Sequence, residues 1–494
     1  MIVSAIDNNS IIDTIVFWGT GDGGLKMLNC WKKLGKSPNY FTCNDINLWN
    51  KRVKGVLVIP PSELIKFKNL TIFITSDYFL QIEEQINKLK LENVKVLRAV
   101  FPYYEFLKNY FESFSLGTNF QSVSNKKKNK ICFTLDNGTI LGGVEQFVYR
   151  TEKLLKNEGI KGVTLIPENK PANSKDSPFQ IVRLNKNYGE SFFIQCINFY
   201  LSSNIDTIIC NTPYEFLFAA FYAKKIQGNT LKIHFVCHGN KEWLYSNLVG
   251  LKNYIDIFWV VSKKIRNDLV LRGIPTKKIK RLNWRINVPE HLTLKKYSSE
   301  NQPIKIGYAG RVTVPQKRVD LLIKIAENLN RLNINFIFNI AGNGDFLNEF
   351  KHTIKEKKLD PFFIFWGVLP KDKILEFWNK QDLYINCSEY EGHSISQCEA
   401  LSCGCVPILT DTSGVRDDVI DNKNGFISPI NDVNSIVNSI CHVYNNRKLL
   451  SIMGKYNMAL MKKRSLSKDE FISFFVDKIK NNQVMSIRSK WSSV

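Results

Sequence analysis

The chain has 494 residues, more than one hydrophobic core organises, so two or three domains are expected. Hydrophobic residues make up 44% and charged residues 23%, an ordinary balance for a soluble globular protein, and no apolar run approaches the roughly 20 residues that span a membrane. The net charge of +23 suits a polyanionic partner or an anionic membrane surface. Nucleic acid ranks below these, because no recognition motif for it is present.

The segment MIVSAIDNNS lacks a basic region followed by an apolar core, so no secretory leader is expected. Eleven cysteines are scattered without a paired CxxC set. The nearest grouping, Cys398, Cys403 and Cys405, lacks the regular spacing and fourth ligand of a zinc site. Free thiols in a reducing, cytoplasmic compartment are the expectation.

Three segments alternate strand-like and helix-like runs, the pattern of parallel, doubly wound sheets. The first is residues 1–112. Its apolar 15-IVFW-18 leads into 19-GTGDGG-24, a Gly-x-Gly-x-x-Gly turn, and a helix near 24–34. Gly19, Gly21 and Gly24 have the spacing of a dinucleotide-binding turn. Asp45 follows 21 residues after Gly24, where a carboxylate can hold a ribose. Further runs are 39-NYFTCND-45, 56-VLVI-59, 70-LTIFIT-75, a helix near 79–91 and 94-VKVLRAV-100. Residues 113–130 are polar and basic without apolar periodicity and read as a linker.

The second segment, 131–300, has strand-like 131-ICFTLD-136, 162-GVTLI-166, 206-DTIIC-210, 232-KIHFVC-237 and 257-IFWVVS-262. From Lys263 to Arg285 it carries nine Lys/Arg and one acid, Asp268, with Trp284 near the end. A solvated helix face and a docking patch for phosphate-bearing lipid both fit that stretch. The third segment, 301–465, has 304-IKIGYAG-310, 336-FIFNIAG-342, 362-FFIFWG-367, 383-LYINCS-388 and 405-CVPIL-409. Residues 466–482 read as a final helix within the tail 466–494.

The stretch 388-SEYEGHSISQCEALSCGCVPI-408 carries the most chemistry. Glu391 and Glu399 are separated by seven residues. Ser394-x-x-Gln397 and Ser396-x-x-Glu399 each fit a capping box, which predicts a helix start near 394–396. Free amides at such a start bind anions. A diphosphate there would have a carboxylate on either side, one for a sugar hydroxyl and one for a ribose. Upstream, Gly310 at a strand end is followed by Arg311 and Lys317, fixed cations that suit a diphosphate leaving group. Gly342 and Gly344 form a second glycine turn, where backbone can approach a base or ribose closely.

Together with 142-GGVE-145, these motifs make residues 126–480 resemble retaining glycosyltransferases of the GT-B fold, in glycosyltransferase family 4. The resemblance implies two Rossmann-like domains facing a cleft, preceded here by a third. It implies that Arg311 and Lys317 bind the diphosphate, Glu399 the ribose and Glu391 the sugar. The amides near His393, Ser394 and Ile395 would also reach the phosphates. Gly142 and Gly143 would let the first half close on the donor, and His238 resembles the family's cleft histidine. The implied catalytic set is Glu391, His238, Arg311 and Lys317, and the donor a nucleotide sugar, foremost a UDP-sugar. No cofactor or metal is expected, because no Asp-x-Asp motif sits at a strand end. The acceptor would be a glycan or lipid-linked acceptor in surface polysaccharide synthesis, met at the inner face of the plasma membrane. The family's usual Phe-Gly after the first Glu-Gly is replaced here by His393-Ser394.

The first domain is similar to Rossmann-like domains preceding sugar-modifying transferases, which implies accessory binding or assembly. The alternatives are a nucleotide-sugar-modifying NAD-dependent oxidoreductase centred on that domain, and a non-catalytic GT-B scaffold.

Overall fold

The computed structural model describes residues 14–98 and 130–477, apart from 34, 76–78, 137, 140–141, 173–176, 185–189, 213–214, 228–229, 242–243, 246–247, 250, 287, 293, 371 and 468. The expected linker lies outside the described residues except for Lys130, which opens a strand. Two compact units make up the chain, residues 1–121 with 246–250, and residues 122–245 with 251–494.

The first unit holds strands β1 (Thr14–Trp18), β2 (Tyr40–Thr42), β3 (Arg52–Val53), β4 (Val56–Ile59), β5 (Leu70–Ile74) and β6 (Val94–Arg98). They pair in the order β3-β4-β2-β1-β5-β6, and every pairing is parallel except the short β3–β4. The parallel strands run 3-2-1-4-5, the Rossmann order, with its switch point beside β1. Phe17, Trp31, Phe41 and Phe73 form its core, with Phe17 edge-on to Trp31 at 5.0 Å and to Phe73 at 5.7 Å.

The glycine turn opens the helix Asp22–Lys33, two residues earlier than the pattern predicts. A Cβ on Gly24 would lie 1.9 Å from the Gly19 carbonyl oxygen, and Gly19 takes φ 128°. These two glycines therefore let the chain fold tightly on itself, whereas the Cα of Gly21 faces open space. The Asp45 carboxylate accepts from the Asn47 amide at 3.0 Å and caps the short turn Ile46–Leu48, so one of its oxygens already has a local partner.

The second unit carries two all-parallel sheets. The first joins β7 (Lys130–Thr134), β8 (Lys161–Pro167), β9 (Gln180–Leu184), β10 (Ile205–Cys210), β11 (Lys232–Cys237), β12 (Ile257–Val260) and β13 (Ile279–Arg281) in the order β13-β12-β11-β10-β7-β8-β9. The second joins β14 (Ile304–Ala309), β15 (Phe336–Ala341), β16 (Phe363–Gly367), β17 (Leu383–Asn386), β18 (Val406–Thr410) and β19 (Phe426–Ser428) in the order β16-β15-β14-β17-β18-β19. Both are again doubly wound about their first strand, so their first-strand loops meet the other loops at a switch point. Helices cover both faces. The helix Asp320–Arg331 shows why, with Leu321, Leu322, Ile325 and Leu329 on its buried stripe.

The final helix expected over 466–482 is present over 470–477, separated from the helix before it by a short break. Lys448–Leu466 stops where Ser467 turns extended (ψ 157°), and the Asp469 side chain accepts from the Ile472 amide to start the turn of 470–477. Residues 478–482 lie outside the described residues. The helix over 470–477 brings Phe471 to 5.7 Å from Phe147 and 4.6 Å from Trp259, which packs that helix on the half built by β7–β13.

The basic stretch 263–285 is largely used internally. Lys278 donates to the carbonyls of Lys252 and Ile255, Arg281 pairs with Asp417, and Arg285 donates to those of Ser465 and Ser467. Arg272 lies over the Tyr245 ring and Lys280 over Phe474. Five of the nine cations are engaged in this way, while Lys263, Lys264 and Lys277 are exposed. Among the described residues no helix is long and apolar enough to cross a membrane.

Phe17 is wholly buried at the centre of the first unit's aromatic cluster. Phe17→Ala is expected to destabilise that unit by about 3–5 kcal/mol. The check is a urea titration of the full chain, read against an unchanged second-unit variant such as Ile452→Ala at an exposed position.

Candidate functional site

The carboxyl ends of β14, β15 and β17 converge on one loop cluster. At the end of β14, Gly310 donates to the Ala341 carbonyl at 3.0 Å, and Val312 to that of Asn343 at 2.9 Å. A Cβ on Gly342, whose φ is 137°, would lie 1.9 Å from the Gly310 oxygen, and one on Gly344 would lie 2.2 Å from the Val312 oxygen. The close approach these glycines permit within the protein is to the neighbouring loop of the same sheet. That contact fixes Gly310 and Arg311 at the edge of the sheet.

After β17 the chain runs through Ser388, Glu391 and Gly392 into the helix Ile395–Ser402. Ser394 is its N-cap, accepting from the Gln397 amide, as one of the two boxes predicts. The box is half-formed, since the Gln397 side chain donates instead to Asp418 at 3.0 Å. The amides of Ile395 and Ser396 have no partner within the helix, which makes this end a place for anionic oxygen. Lys317 pairs with Glu391, and the Ser388 hydroxyl donates to the same carboxylate at 2.9 Å. Arg311 donates to the Gln316 side chain at 2.6 Å, and Gln316 to the Tyr390 carbonyl at 3.3 Å. Arg311, Lys317, Glu391 and the helix start therefore form one cluster, as the family resemblance implies.

The sheet of β7–β13 supplies the opposite wall. A Cβ on Gly392 would lie 1.8 Å from the His238 carbonyl oxygen, so only glycine lets this loop meet the other half. Gly142 precedes the helix Gly143–Asn157 as its N-cap, and Gly143 is exposed with open space at its Cα. Burial raises the Glu145 carboxyl on that turn; the Gly142 amide and the facing Arg311 charge oppose the rise. Lys241 lies 4.3 Å from the centre of the Tyr390 ring.

His238 is oriented by Asn211. The Asn211 amide nitrogen donates to the Thr134 carbonyl at 3.1 Å, which turns its oxygen toward His238 Nε2 at 2.8 Å. Nε2 then carries the proton and Nδ1 the lone pair. Desolvation lowers the ring to about 3, so it is neutral through the physiological range.

Glu399 lies one turn into the helix, buried. Its partner is Arg150 of the helix Gly143–Asn157, at 2.8 Å. No spacing argument finds this pair, because 249 residues separate its members.

His393 contributes more than a backbone amide. Its ring is buried and donates from Nε2 to Asp418 at 2.7 Å, while Arg464 holds the other Asp418 oxygen. Burial opposes the imidazolium, but Cys398 and the Asp418 carboxylate outweigh it and raise the ring to about 10; Asp418 is correspondingly lowered. His393 Nε2, Cys398 Sγ and an Asp418 oxygen lie within 4.8 Å of one another. Since Arg464 and Gln397 already donate to that carboxylate, the cluster reads as a buried ion network that anchors the loop. Neither Asp418 nor Arg464 stood out in the sequence.

The architecture decides the fold. The chain superposes on Staphylococcus aureus TarM with a TM-score of 0.58 at 14% identity, covering 72% of this chain and 99% of that one. It superposes on the lipopolysaccharide outer core galactosyltransferase WaaB with a TM-score of 0.56 at 18% identity, covering 72% and 99%. This is the GT-B fold. Residues 291–459 match the family model "Glycosyl transferases group 1", and residues 11–97 match "C2185-like, N-terminal". Two curated relatives are the poly(ribitol-phosphate) alpha-N-acetylglucosaminyltransferase of Staphylococcus aureus and the amylovoran biosynthesis glycosyltransferase AmsK of Erwinia amylovora. The first is 29% identical over 34% of this chain and 32% of its own length, the second 24% identical over 36% and 44%. The chain thus spans about a third of the first and under half of the second.

The charged His393–Asp418 pair gives a pH signature. His393 binds its proton more tightly folded than unfolded, where imidazole titrates near ~6.5. Its contribution is therefore complete below that value and is lost as pH rises toward about 10. His393→Phe is expected to flatten the fall of Tm over this alkaline window relative to the native chain, measured by scanning calorimetry.

Proposed function

We propose that this chain is a retaining glycosyltransferase of family 4 type, moving a sugar from a nucleotide sugar to a glycan or lipid-linked acceptor in surface polysaccharide synthesis. The observation that carries the reading is the convergence of Arg311, the Lys317–Glu391 pair and the Ile395 helix start on one sheet edge, closed by the His238 loop at Gly392.

In this reading the diphosphate lies between the helix amides and the two cations, which stabilise the charge that develops as it leaves. Glu391 receives sugar hydroxyls, and Glu399 the ribose. Neutral His238 offers a hydrogen bond to the sugar without adding charge. No side chain is required as a covalent nucleophile. Front-side displacement keeps the anomeric configuration, the departing diphosphate taking the acceptor proton, and positioning supplies much of the rate. A UDP-sugar is the preferred donor. Support comes from similar structures solved with UDP and from a relative named UDP-Gal:alpha-D-GlcNAc-diphosphoundecaprenol alpha-1,3-galactosyltransferase of Escherichia coli, 25% identical over 33% of this chain. The first unit takes an accessory binding or assembly role.

The test is nucleotide release from UDP-, GDP- and ADP-sugars, with and without membrane extract. Release with one donor is expected to depend on the extract and to fall ~10²–10³-fold in Lys317→Ala and Glu391→Ala. Undiminished turnover in both variants, or no release from any donor, would overturn the reading.

A further inference from the structure

The pair between Arg150 and Glu399 is unusual in its placement. Glu399 belongs to the wall that would hold the nucleotide, and Arg150 to the opposite wall. The guanidinium engages one carboxylate oxygen, Oε1, at 2.8 Å, and the Glu399 side chain is only 8% exposed. Breaking a buried ion pair is more costly than one charged hydrogen bond is favourable, so two ribose hydroxyls are poor competitors for the arginine. A ribose is therefore better received beside Arg150 than in its place, on the lone pairs the guanidinium leaves open.

We infer that Arg150 is a positioning residue for the donor, acting across the cleft to keep Glu399 ionised and aimed at the ribose. The inference rests on the function proposed above, and it makes the ribose subsite a product of both halves of the second unit. Burial raises the Glu399 carboxyl; Arg150 opposes that rise most strongly, and the Trp378 side chain adds to the effect of the arginine. The neighbouring titratable groups do not replace it. The Cys403 thiol is pushed far up by burial and stays neutral, and Lys295 is engaged by the carbonyls of Trp378 and Gln381. Without Arg150, Glu399 would take up a proton at a higher pH than it does now, and a neutral carboxyl accepts hydroxyl donors weakly.

The experiment is calorimetric binding of UDP and of 2′,3′-dideoxy-UDP to the full chain, with the matching GDP and ADP pairs as further arms. It compares the native chain with Arg150→Met and Arg150→Lys at about pH 6 and about pH 8. Arg150→Met is expected to weaken UDP about tenfold at the lower pH, with partial recovery at the higher pH as Glu399 ionises. The dideoxy nucleotide should bind the native and Met forms alike, and Arg150→Lys should restore much of the UDP affinity. Equal losses for both nucleotides would mean a merely structural role. Tighter UDP binding by Arg150→Met would mean that the arginine competes with ribose. Either result, or an unchanged UDP affinity, overturns the inference. Failure of every nucleotide to bind the native chain would instead overturn the function on which it rests.

Discussion

The site depends on one close approach of backbone to backbone. The loop between β17 and the Ile395 helix passes the His238 carbonyl at a distance that admits no Cβ at Gly392. Gly414 repeats the constraint from below, since a Cβ there would lie 2.6 Å from the Gly392 oxygen. The Arg150–Glu399, Arg281–Asp417 and Ser262–Ser413 contacts follow from that approach, because the two sheets must come this near before side chains can bridge them. Both sheets are parallel, so their carboxyl edges and helix starts gather on the same side of each.

Charge is distributed in two layers. Near the loop surface, Lys317 and Arg311 remain half-buried or exposed, where an incoming anion can use them. Behind the loop, His393, Asp418 and Arg464 are buried and paired with one another through His393 Nε2 and both Asp418 oxygens. An isolated buried imidazolium would be unfavourable, and the carboxylate beside it makes it stable. The inner layer holds the Ser388–Ser394 loop against the helix Lys448–Leu466, so that the outer layer presents fixed amides and cations. A phenylalanine at this position would fill space, whereas this histidine also ties the loop to the C-terminal helix by charge.

The first unit repeats the Rossmann order with a smaller core. Its glycines serve the turn itself, and Asp45 serves a cap. A fingerprint can thus mark a way of folding strand into helix as well as a ligand, because the same tight turn is needed for both.

The grouping of Arg311, Lys317 and Glu391 came from the family resemblance, whereas periodicity and motif spacing gave the three alternating segments, the strand ends at Gly310 and Gly342 and the Ser394 cap. These are legible because each depends on neighbours in the chain: a strand period, a cap three residues away, a glycine at a turn. Short edge strands such as β3, β13 and β19 carry too few residues to show a period. The sequence by itself determined the doubly wound class and the helix start at Ser394, since local sterics and hydrogen bonding dictate both. Only the tertiary structure decided which groups meet around Glu391. Arg150 on Glu399, Asn211 on His238, Arg464 on Asp418 and the internal use of the 263–285 cations join residues far apart in the chain, and which of them meet is fixed by the packing of sheets and helices.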